Sequence, residues 1–420
     1  MSKCSLVWKD KIVFVLTMMF MLHSGVAVGQ KKNRQESDTI CTTSRFIHRI
    51  GIDVRPEYII PFNSFLQGNN DKNRSLNSCL STHLRYSFQY RSGSAIDSIY
   101  GHNTYQGIGL AHYSLGDTHE LGNPLALYLF QGARLARLTS SLSLNYEWNF
   151  GLSFGWKPYD EEANYNNTII GSRVNAYIFA GLYLNQVLSR EFDLVVGYSF
   201  THFSNGNTQI PNAGLNTTGL RLGLVYNMNK GKDKDKKSEK IPLFVKHWNY
   251  DLLFFGSWKR TGVDVDGYKY LSPDSYGVFG FNISALYNFG YRFKAGFSLD
   301  GLHDGSAGVY AKDNIVPLGH DEPEDPPEFG SASFRKRLAL GLSGRTEYVM
   351  PFFTIDLGLG ANVLAGHSDL RVFYQILALK MNLTNNTFLH IGYSLKNFHT
   401  PNHLMLGFGF HFHNKRVSLK

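Results

Sequence analysis

Long apolar segments are missing from this sequence, and their absence argues against a helical membrane protein. The apolar run from Ile12 to Leu22 is shorter than the roughly 20 residues that a spanning helix needs. It follows three lysines and precedes Ala27-Val28-Gly29, a small-x-small cleavage pattern. Residues 1–29 therefore predict a cleaved secretory signal peptide, and a mature chain that enters a membrane must cross it with strands.

Cysteine is also rare, at three residues in 420. Cys4 lies in the expected signal peptide, so only Cys41 and Cys79 remain in the mature chain. In an oxidising compartment these two thiols either form one disulfide or stay free, and the sequence leaves both open. The histidines and acidic residues match no metal-binding spacing, and we expect neither a metal nor another cofactor.

Much of the positive charge lies in one segment. The formal net charge is +9, and part of it comes from Lys230 to Lys240, where Lys and Asp alternate. This pattern is typical of a solvated linker, so no nucleic-acid partner is expected. The predicted organisation is a signal peptide at 1–29, an N-terminal segment at 30–43, strands at 44–228, a Lys-rich linker at 229–242 and further strands at 243–420.

Apolar and polar residues alternate along several segments, as they do when one face of a strand meets lipid. The longest example runs from Leu142 to Trp156, and its length and terminal Trp are typical of a tilted spanning strand with an interfacial aromatic residue. The last strand behaves in the same way. Its apolar face comprises Leu404, Leu406, Phe408, Phe410 and Phe412.

The connections between the predicted strands alternate in length, as expected when one rim of a barrel has tight turns and the other has loops. Short turns fall near Ser189-Arg190, Asn288-Phe289, Met350-Pro351 and Asn385-Asn386, and longer loops fall near 157–170, 205–216, 259–274 and 305–333. We therefore predict an all-β fold, a transmembrane antiparallel β-barrel of about 12–16 strands. The alternative is two tandem barrels of about eight strands each.

One strand carries candidate catalytic residues. Every second residue from Phe192 to Phe200 is apolar and forms one face of the strand. The next two residues on that same face are His202 and Ser204. Asn216 has the outward parity of the returning strand. A serine becomes a nucleophile when a base takes its proton, and His202 is within reach of Ser204 on the same strand face. The simpler interpretation is a pair of hydrogen-bonding residues at the membrane interface.

The segment around this pair resembles a known active site. His202-Phe203-Ser204-Asn205 followed by Pro211-Asn212-Ala213-Gly214-Leu215-Asn216 is similar to the active-site stretch of the outer-membrane lipid A 3-O-deacylase, or acyloxyacyl hydrolase-like, family. The resemblance covers residues of about 105–228. It implies an eight-stranded barrel that cleaves an acyl ester of lipid A in the outer leaflet.

The resemblance also assigns roles to individual residues. It implies that Ser204 is the nucleophile, that His202 is the base, and that Asn205 and Gly206 contact the substrate or the oxyanion. Two positions depart from the family pattern. Asn216 stands where the family has an acidic residue that orients the histidine, and Asn207 stands where it has a glycine, with Gly206 one place early. An asparagine can orient a histidine but cannot stabilise an imidazolium by charge, so slower catalysis, or none, is expected.

Three functional hypotheses follow. The first is an outer-membrane esterase that acts on lipid A of lipopolysaccharide, among outer-membrane lipids, with the ester position and the oligomeric state left open. The second is a barrel that has lost catalysis and binds lipid, for which Asn216 argues. The third is a pore, because about sixteen strands would enclose a water-filled lumen, lined by Arg335, Arg337, Arg345 and Glu347. His112-Tyr113-Ser114 is a second His-x-Ser, but it lacks the following Asn.

Overall fold

The computed structural model describes residues 46–91, 93–101, 103–228, 230, 240–265, 268–272, 274–312, 328–398 and 400–413. The expected signal peptide, the N-terminal segment and most of the Lys-rich linker lie outside these residues. Cys41 lies outside them too, while Cys79 is buried with its thiol 3.6 Å from the Glu57 carboxylate. Among the described residues, no helix is long and apolar enough to cross a membrane.

The first half of the chain closes into an antiparallel barrel. Each of its eight strands pairs with the next, and the last pairs with the first. Helix α1 (Ser64–Gln67) follows the first strand, and α2 (Ala95–Tyr100) follows the second. The strands are β1 (Phe46–Ile59), β2 (Ser78–Tyr90), β3 (Tyr105–Ser114), β4 (Gly122–Arg137), β5 (Leu142–Trp156), β6 (Val174–Val187), β7 (Phe192–Ser204) and β8 (Leu215–Asn227).

The second half forms another closed barrel of eight strands, in which the last strand pairs with the first. Two small hairpins, β10–β11 (Gly262–Val265, Tyr268–Leu271) and β14–β15 (Tyr310–Ala311, Phe329–Gly330), stand on its loops, with 3-10 turns at Phe334–Arg337 and Ser368–Leu370. The barrel strands are β9 (His247–Lys259), β12 (Tyr276–Asn288), β13 (Phe293–Asp304), β16 (Leu338–Val349), β17 (Phe353–Ala365), β18 (Phe373–Asn382), β19 (Thr387–Lys396) and β20 (Thr400–Phe412).

This architecture confirms the all-β antiparallel barrel fold, and of the two arrangements left open it has the tandem pair of eight-stranded barrels. Period-two alternation tells which face a residue occupies but not which strand its own strand pairs with. For that reason the sequence could not separate one wide barrel from two narrow ones. Closure of β8 onto β1 decides it.

The outward faces of the strands are apolar and exposed, whereas the inward faces are polar and buried. In the first barrel the Asp53 carboxylate receives Arg55 at 2.9 Å, Arg85 at 3.2 Å and Arg221 at 3.0 Å. Arg85 and Arg221 also bind Glu147, at 2.5 Å and 3.2 Å. Buried charges are tolerated because each is paired with a charge of opposite sign.

The second barrel has a similar interior. Lys380 binds Asp251 at 3.0 Å and also contacts Glu347, while Arg345 binds Asp356 at 3.1 Å. Arg345 and Glu347 thus face inward as predicted, but Arg335 and Arg337 do not line the barrel. They lie in the 3-10 turn Phe334–Arg337 that precedes β16. The alternation of polar residues continues upstream of the strand, so the prediction that these two arginines face inward was wrong.

The two ends of the first barrel differ in their connections. The turns 138–141 and 188–191 lie at one end, called here the short-turn rim, and the loops 115–121, 157–173 and 205–214 lie at the other, the long-loop rim. In the second barrel the turns 289–292 and 350–352 occupy the corresponding short-turn end, and the segment after Lys259 lies at the long-loop end. Ser204 ends β7 at the long-loop rim.

Candidate functional site

The candidate site lies where β7 ends and β8 begins. His202 pairs with Asn216 in the β7–β8 register, and Ser204 follows His202 by two residues on β7. Residues two apart on a strand point to the same face and lie about 6.6 Å apart along it. The same parity carries Phe192, Leu194, Val196, Tyr198 and Phe200, all exposed on the outer wall. The three side chains therefore meet on the outside of the barrel.

The three side chains form one hydrogen-bonded chain. Nδ1 of His202 lies 2.7 Å from Oδ1 of Asn216, and Nε2 of His202 lies 2.9 Å from Oγ of Ser204. An amide oxygen only accepts hydrogen bonds. Nδ1 of the ring therefore carries the proton and donates it to Asn216, which leaves Nε2 to accept from the Ser204 hydroxyl.

The surroundings of Ser204 are apolar on the strand side. Ser204, His202 and Asn216 are each half-buried, while Phe200, the outward residue next to His202 on β7, and Leu220, the second outward residue after Asn216 on β8, are exposed. A molecule embedded beside the barrel could lay its hydrocarbon chain along this wall and bring a polar linkage near the rim to the hydroxyl.

The loop from 205 to 214 folds back over the site. The backbone N–H of Asn205 donates to Oδ1 of Asn212 at 2.8 Å, and Nδ2 of Asn212 donates to Oδ1 of Asn207 at 3.2 Å. Asn205 itself is buried, and its Nδ2 has no acceptor within the described part of the chain. A buried amide donor without a protein partner is uncommon, and here it adjoins the residue that carries the hydroxyl.

Gly214 allows the loop to return close to the histidine. Its φ is +79°, a conformation that residues with a Cβ rarely adopt. A Cβ at this position would lie 2.8 Å from the Phe203 carbonyl oxygen and 3.2 Å from Cε1 of His202. The Gly214 N–H donates to the Ile169 carbonyl at 3.0 Å, which fastens the loop to the neighbouring loop 157–173.

The second His-x-Ser differs in geometry. His112 and Ser114 are exposed on the outer face of β3, and no hydrogen bond joins their side chains. In the described ranges no group of three metal-ligating side chains comes together. The sequence singled out His202, Ser204, Asn205, Gly206 and Asn216, and the structure brings all five to the same rim.

Some neighbours of the site had no role in the sequence-based prediction. Asn212 and Gly214 were part of the motif that carries the resemblance, but only the folded loop shows what they contact. Tyr393, Leu404 and Arg260 belong to the second barrel and also approach the loop. No local pattern could have found these three, because their proximity depends on how the two barrels pack.

Comparison with known families extends over both barrels. The model for "Lipid A 3-O-deacylase (PagL)" matches residues 81–225, and the model for "Acyloxyacyl hydrolase, C-terminal domain" matches residues 248–414. The chain belongs to the lipid A 3-O-deacylase family. It is an outer-membrane protein, and the family activity is deacylation of lipid A. The resemblance seen in the sequence ended at about residue 228, whereas the acyloxyacyl hydrolase C-terminal domain model matches the second barrel as well.

Other comparisons add little to the family assignment. Neisserial surface protein A is 10% identical, with 43% of this chain and 97% of that chain covered, at a TM-score of 0.29. The Acinetobacter baumannii outer membrane protein Omp33 is 9% identical, with 88% and 99% covered, at a TM-score of 0.17. Likeness at these TM-scores carries no argument. No curated protein sequence matches the deacylase-family chain significantly.

Proposed function

We propose that the protein is an outer-membrane esterase that removes an ester-linked acyl chain from lipid A of lipopolysaccharide, with Ser204 as nucleophile and His202 as base. The observation that carries this proposal is His202, which is hydrogen-bonded to Ser204 through one ring nitrogen and to Asn216 through the other. Such an arrangement activates a serine hydroxyl. Its place on the lipid-facing wall suits a substrate that is itself a membrane lipid.

In the acylation step, Oγ of Ser204 attacks the ester carbonyl carbon while Nε2 of His202 takes the hydroxyl proton. The carbonyl π electrons move to oxygen and give a tetrahedral oxyanion. When it collapses, the carbon–oxygen bond to the sugar or hydroxyacyl group breaks. The leaving oxygen takes the proton from Nε2, and the acyl group stays on Ser204.

Deacylation repeats these transfers with water. A water molecule at the rim attacks the acyl-Ser204 carbonyl and gives its proton to Nε2 of His202. Collapse of the second tetrahedral species returns that proton to Oγ of Ser204 and releases a free fatty acid. No metal or redox cofactor enters the balance, because each step moves only a proton and an acyl group.

We assign the stabilisation of the oxyanion to the side chain of Asn205, which follows Ser204 in the chain. Its backbone N–H is already taken by Asn212, at 2.8 Å, but its buried side-chain Nδ2 has no acceptor in the described structure. A donor that is held in place and unpaired in the resting site can bind charge that appears only in the transition state. Gly206, which follows it with φ of +66°, shapes the turn that carries this amide.

Asn216 takes the position of the family's acidic residue. Its oxygen fixes the His202 tautomer as a carboxylate would, but it offers no charge to the imidazolium that forms when Ser204 loses its proton. The proposal is therefore a deacylase whose turnover is slower than the same scaffold would give with an acid at 216.

The direct test is mass spectrometry of lipid A from cells that express the wild type, Ser204→Ala or Ser114→Ala. Ser114 belongs to the second His-x-Ser and serves as the matched control. Loss of one ester-linked acyl chain in the wild type and in Ser114→Ala, but not in Ser204→Ala, would support the esterase. If the wild type is folded in the outer membrane and lipid A stays intact, the lipid-binding barrel without catalysis becomes the better hypothesis.

A further inference from the structure

The second barrel touches the loop that follows the nucleophile. Gly206 is buried, and a Cβ built on it would lie 3.3 Å from Cε2 of Tyr393 and 3.5 Å from Cδ1 of Leu404. Tyr393 is on β19 and Leu404 is on β20, both on the outward face of the second barrel. Both are only half-exposed, unlike Leu406, the next outward residue on β20.

Hydrogen bonds join the same two parts. The backbone N–H of Arg260, just after β9, donates to the Asn207 carbonyl at 3.2 Å. Nδ2 of Asn207 points to the Pro401 carbonyl at 3.5 Å, which is too long for a strong hydrogen bond. Arg260 therefore supplies the firmer of the two polar contacts.

These contacts continue inside the loop as far as Asn205. Asn207 accepts from Asn212 through its side-chain oxygen at 3.2 Å, and Asn212 accepts from the Asn205 N–H at 2.8 Å. Gly206 and Asn207 both have positive φ, +66° and +67°. Backbone in this region costs free energy and persists where the surrounding contacts hold it in place. The packing of the second barrel therefore bears on the residue that carries the unpaired Nδ2.

The two barrels also contact each other near the short-turn rim. Phe353 packs edge-on against Trp148 with ring centroids 5.4 Å apart, and Phe352 packs against Phe88 at 5.8 Å. Trp148 and Phe88 belong to the first barrel, and Gln106 and Gln131 lie between them on its outer face. These two glutamines point outward, yet they are only 2% and 0% exposed. The second barrel thus covers a patch of wall that would otherwise face lipid, and it is braced at both ends.

We propose that the second barrel is a positioning unit for the active site of the first, with Arg260, Tyr393 and Leu404 fixing Gly206 and Asn207 so that Asn205 meets the oxyanion. The inference rests on the esterase function proposed above. Catalytic groups must be held within about 0.5 Å of their productive geometry, and a displacement of about 1 Å can lower the rate by roughly 100-fold. Deacylation by this chain then depends on both barrels, although the reacting side chains belong to one.

The test uses the purified full chain in detergent micelles with lipopolysaccharide as substrate and release of fatty acid as the readout. Leu404→Ala opens a space beside Gly206, and Leu404→Met restores most of the volume. Leu406→Ala removes the same side chain one outward position further along β20 and is the matched control. Arg260→Pro removes the backbone N–H that binds Asn207, whereas Arg260→Ala keeps it.

We expect kcat to fall about tenfold in Leu404→Ala and in Arg260→Pro with KM unchanged, because the loop loses support while the lipid-facing wall stays the same. Leu404→Met should recover most of the loss, Leu406→Ala should match the wild type, and Arg260→Ala should lose far less than Arg260→Pro. A shift of the barrel band on unheated gels checks that each variant is folded.

Other outcomes overturn the inference. An increase in KM alone would make Leu404 part of the acyl-chain wall, and equal losses in Arg260→Ala and Arg260→Pro would assign the effect to the guanidinium. Wild-type kcat in both Leu404→Ala and Arg260→Pro would show that the loop holds itself. Failure of the esterase proposal looks different, since the wild type would then be inactive or Ser204→Ala would stay active.

Discussion

Nδ1 of His202 lies 2.7 Å from Oδ1 of Asn216 across the β7–β8 pair, so the imidazole is hydrogen-bonded to an uncharged amide. The amide oxygen can fix which ring nitrogen carries the proton, and this leaves Nε2 free to accept from Ser204, at 2.9 Å. What the amide lacks is charge. In the proposed mechanism the imidazolium lasts only as long as each tetrahedral species, so the missing charge should appear in kcat and not in substrate binding.

The first prediction concerns this contact. Asn216→Glu should raise kcat about tenfold, because a carboxylate keeps the hydrogen bond and adds a stabilising charge beside the imidazolium. Asn216→Ala should lower kcat about tenfold or more by releasing the ring. Thr218→Glu places the same charge at the next outward position of β8 and should not raise kcat. A gain in Thr218→Glu equal to that in Asn216→Glu would mean that surface charge, not contact with His202, controls the rate.

The second prediction concerns Asn205, the proposed oxyanion donor. Asn205→Ala removes the buried unpaired Nδ2, and kcat should fall by roughly 100-fold to 1,000-fold, the range seen when one oxyanion donor is deleted. KM should change little, since the bond strengthens only as charge develops. Fatty-acid release from lipopolysaccharide micelles measures both constants. Gln209→Ala removes a nearby amide side chain as a control, and a comparable loss of kcat there would assign the effect to loop stability.

The alternation in the sequence was enough to predict that His202, Ser204 and Asn216 lie on the outer wall, because each of the three is on a strand face. His202 and Ser204 share the parity of Phe192 to Phe200, and Asn216 shares that of Leu220 to Tyr226. The pairing register of β7 and β8 then brings the three together. Because these strands are neighbours in the chain with a single loop between them, few registers are possible. The family motif then supplied the roles.

Other features depend on contacts between residues far apart in the chain. The number of barrels is set by closure of β8 onto β1 and of β20 onto β9, which periodicity does not encode. The approach of Leu404 to Gly206 joins positions in different barrels. Arg335 and Arg337 were wrongly predicted to line the barrel. They lie in a 3-10 turn before β16, and the alternation of residues does not mark where that strand begins.

The third prediction concerns Gly214. Gly214→Ala should lower deacylation at least tenfold while the barrel still folds, because the residue has φ of +79° and a Cβ would lie 2.8 Å from the Phe203 carbonyl oxygen. The loop would have to move away from His202, and such backbone strain is of order 1–3 kcal/mol. Gly344→Ala is the matched control, since its Cβ would meet no atom within 4 Å. Unchanged kinetics in Gly214→Ala would show that the loop tolerates this shift.

The last prediction concerns the interior of the first barrel and separates its stability from its chemistry. Asp53 is fully buried and binds Arg55, Arg85 and Arg221. Asp53→Ala leaves three buried guanidinium groups with too little negative charge, and losing one partner of a buried pair lowers the free energy of unfolding by roughly 3–5 kcal/mol. Glu161→Ala, an exposed loop carboxylate, should change it by less than about 0.5 kcal/mol. Urea unfolding in detergent, followed by tryptophan fluorescence, measures both variants.

Equal stability of Asp53→Ala and the wild type would mean that Glu147, which also binds Arg85 and Arg221, compensates the remaining charge. Because Asp53 lies inside the barrel and Ser204 outside, the Asp53→Ala protein that remains folded should keep the kcat of the wild type, and a loss of kcat in that folded fraction would show that the interior charges help to shape the outer wall.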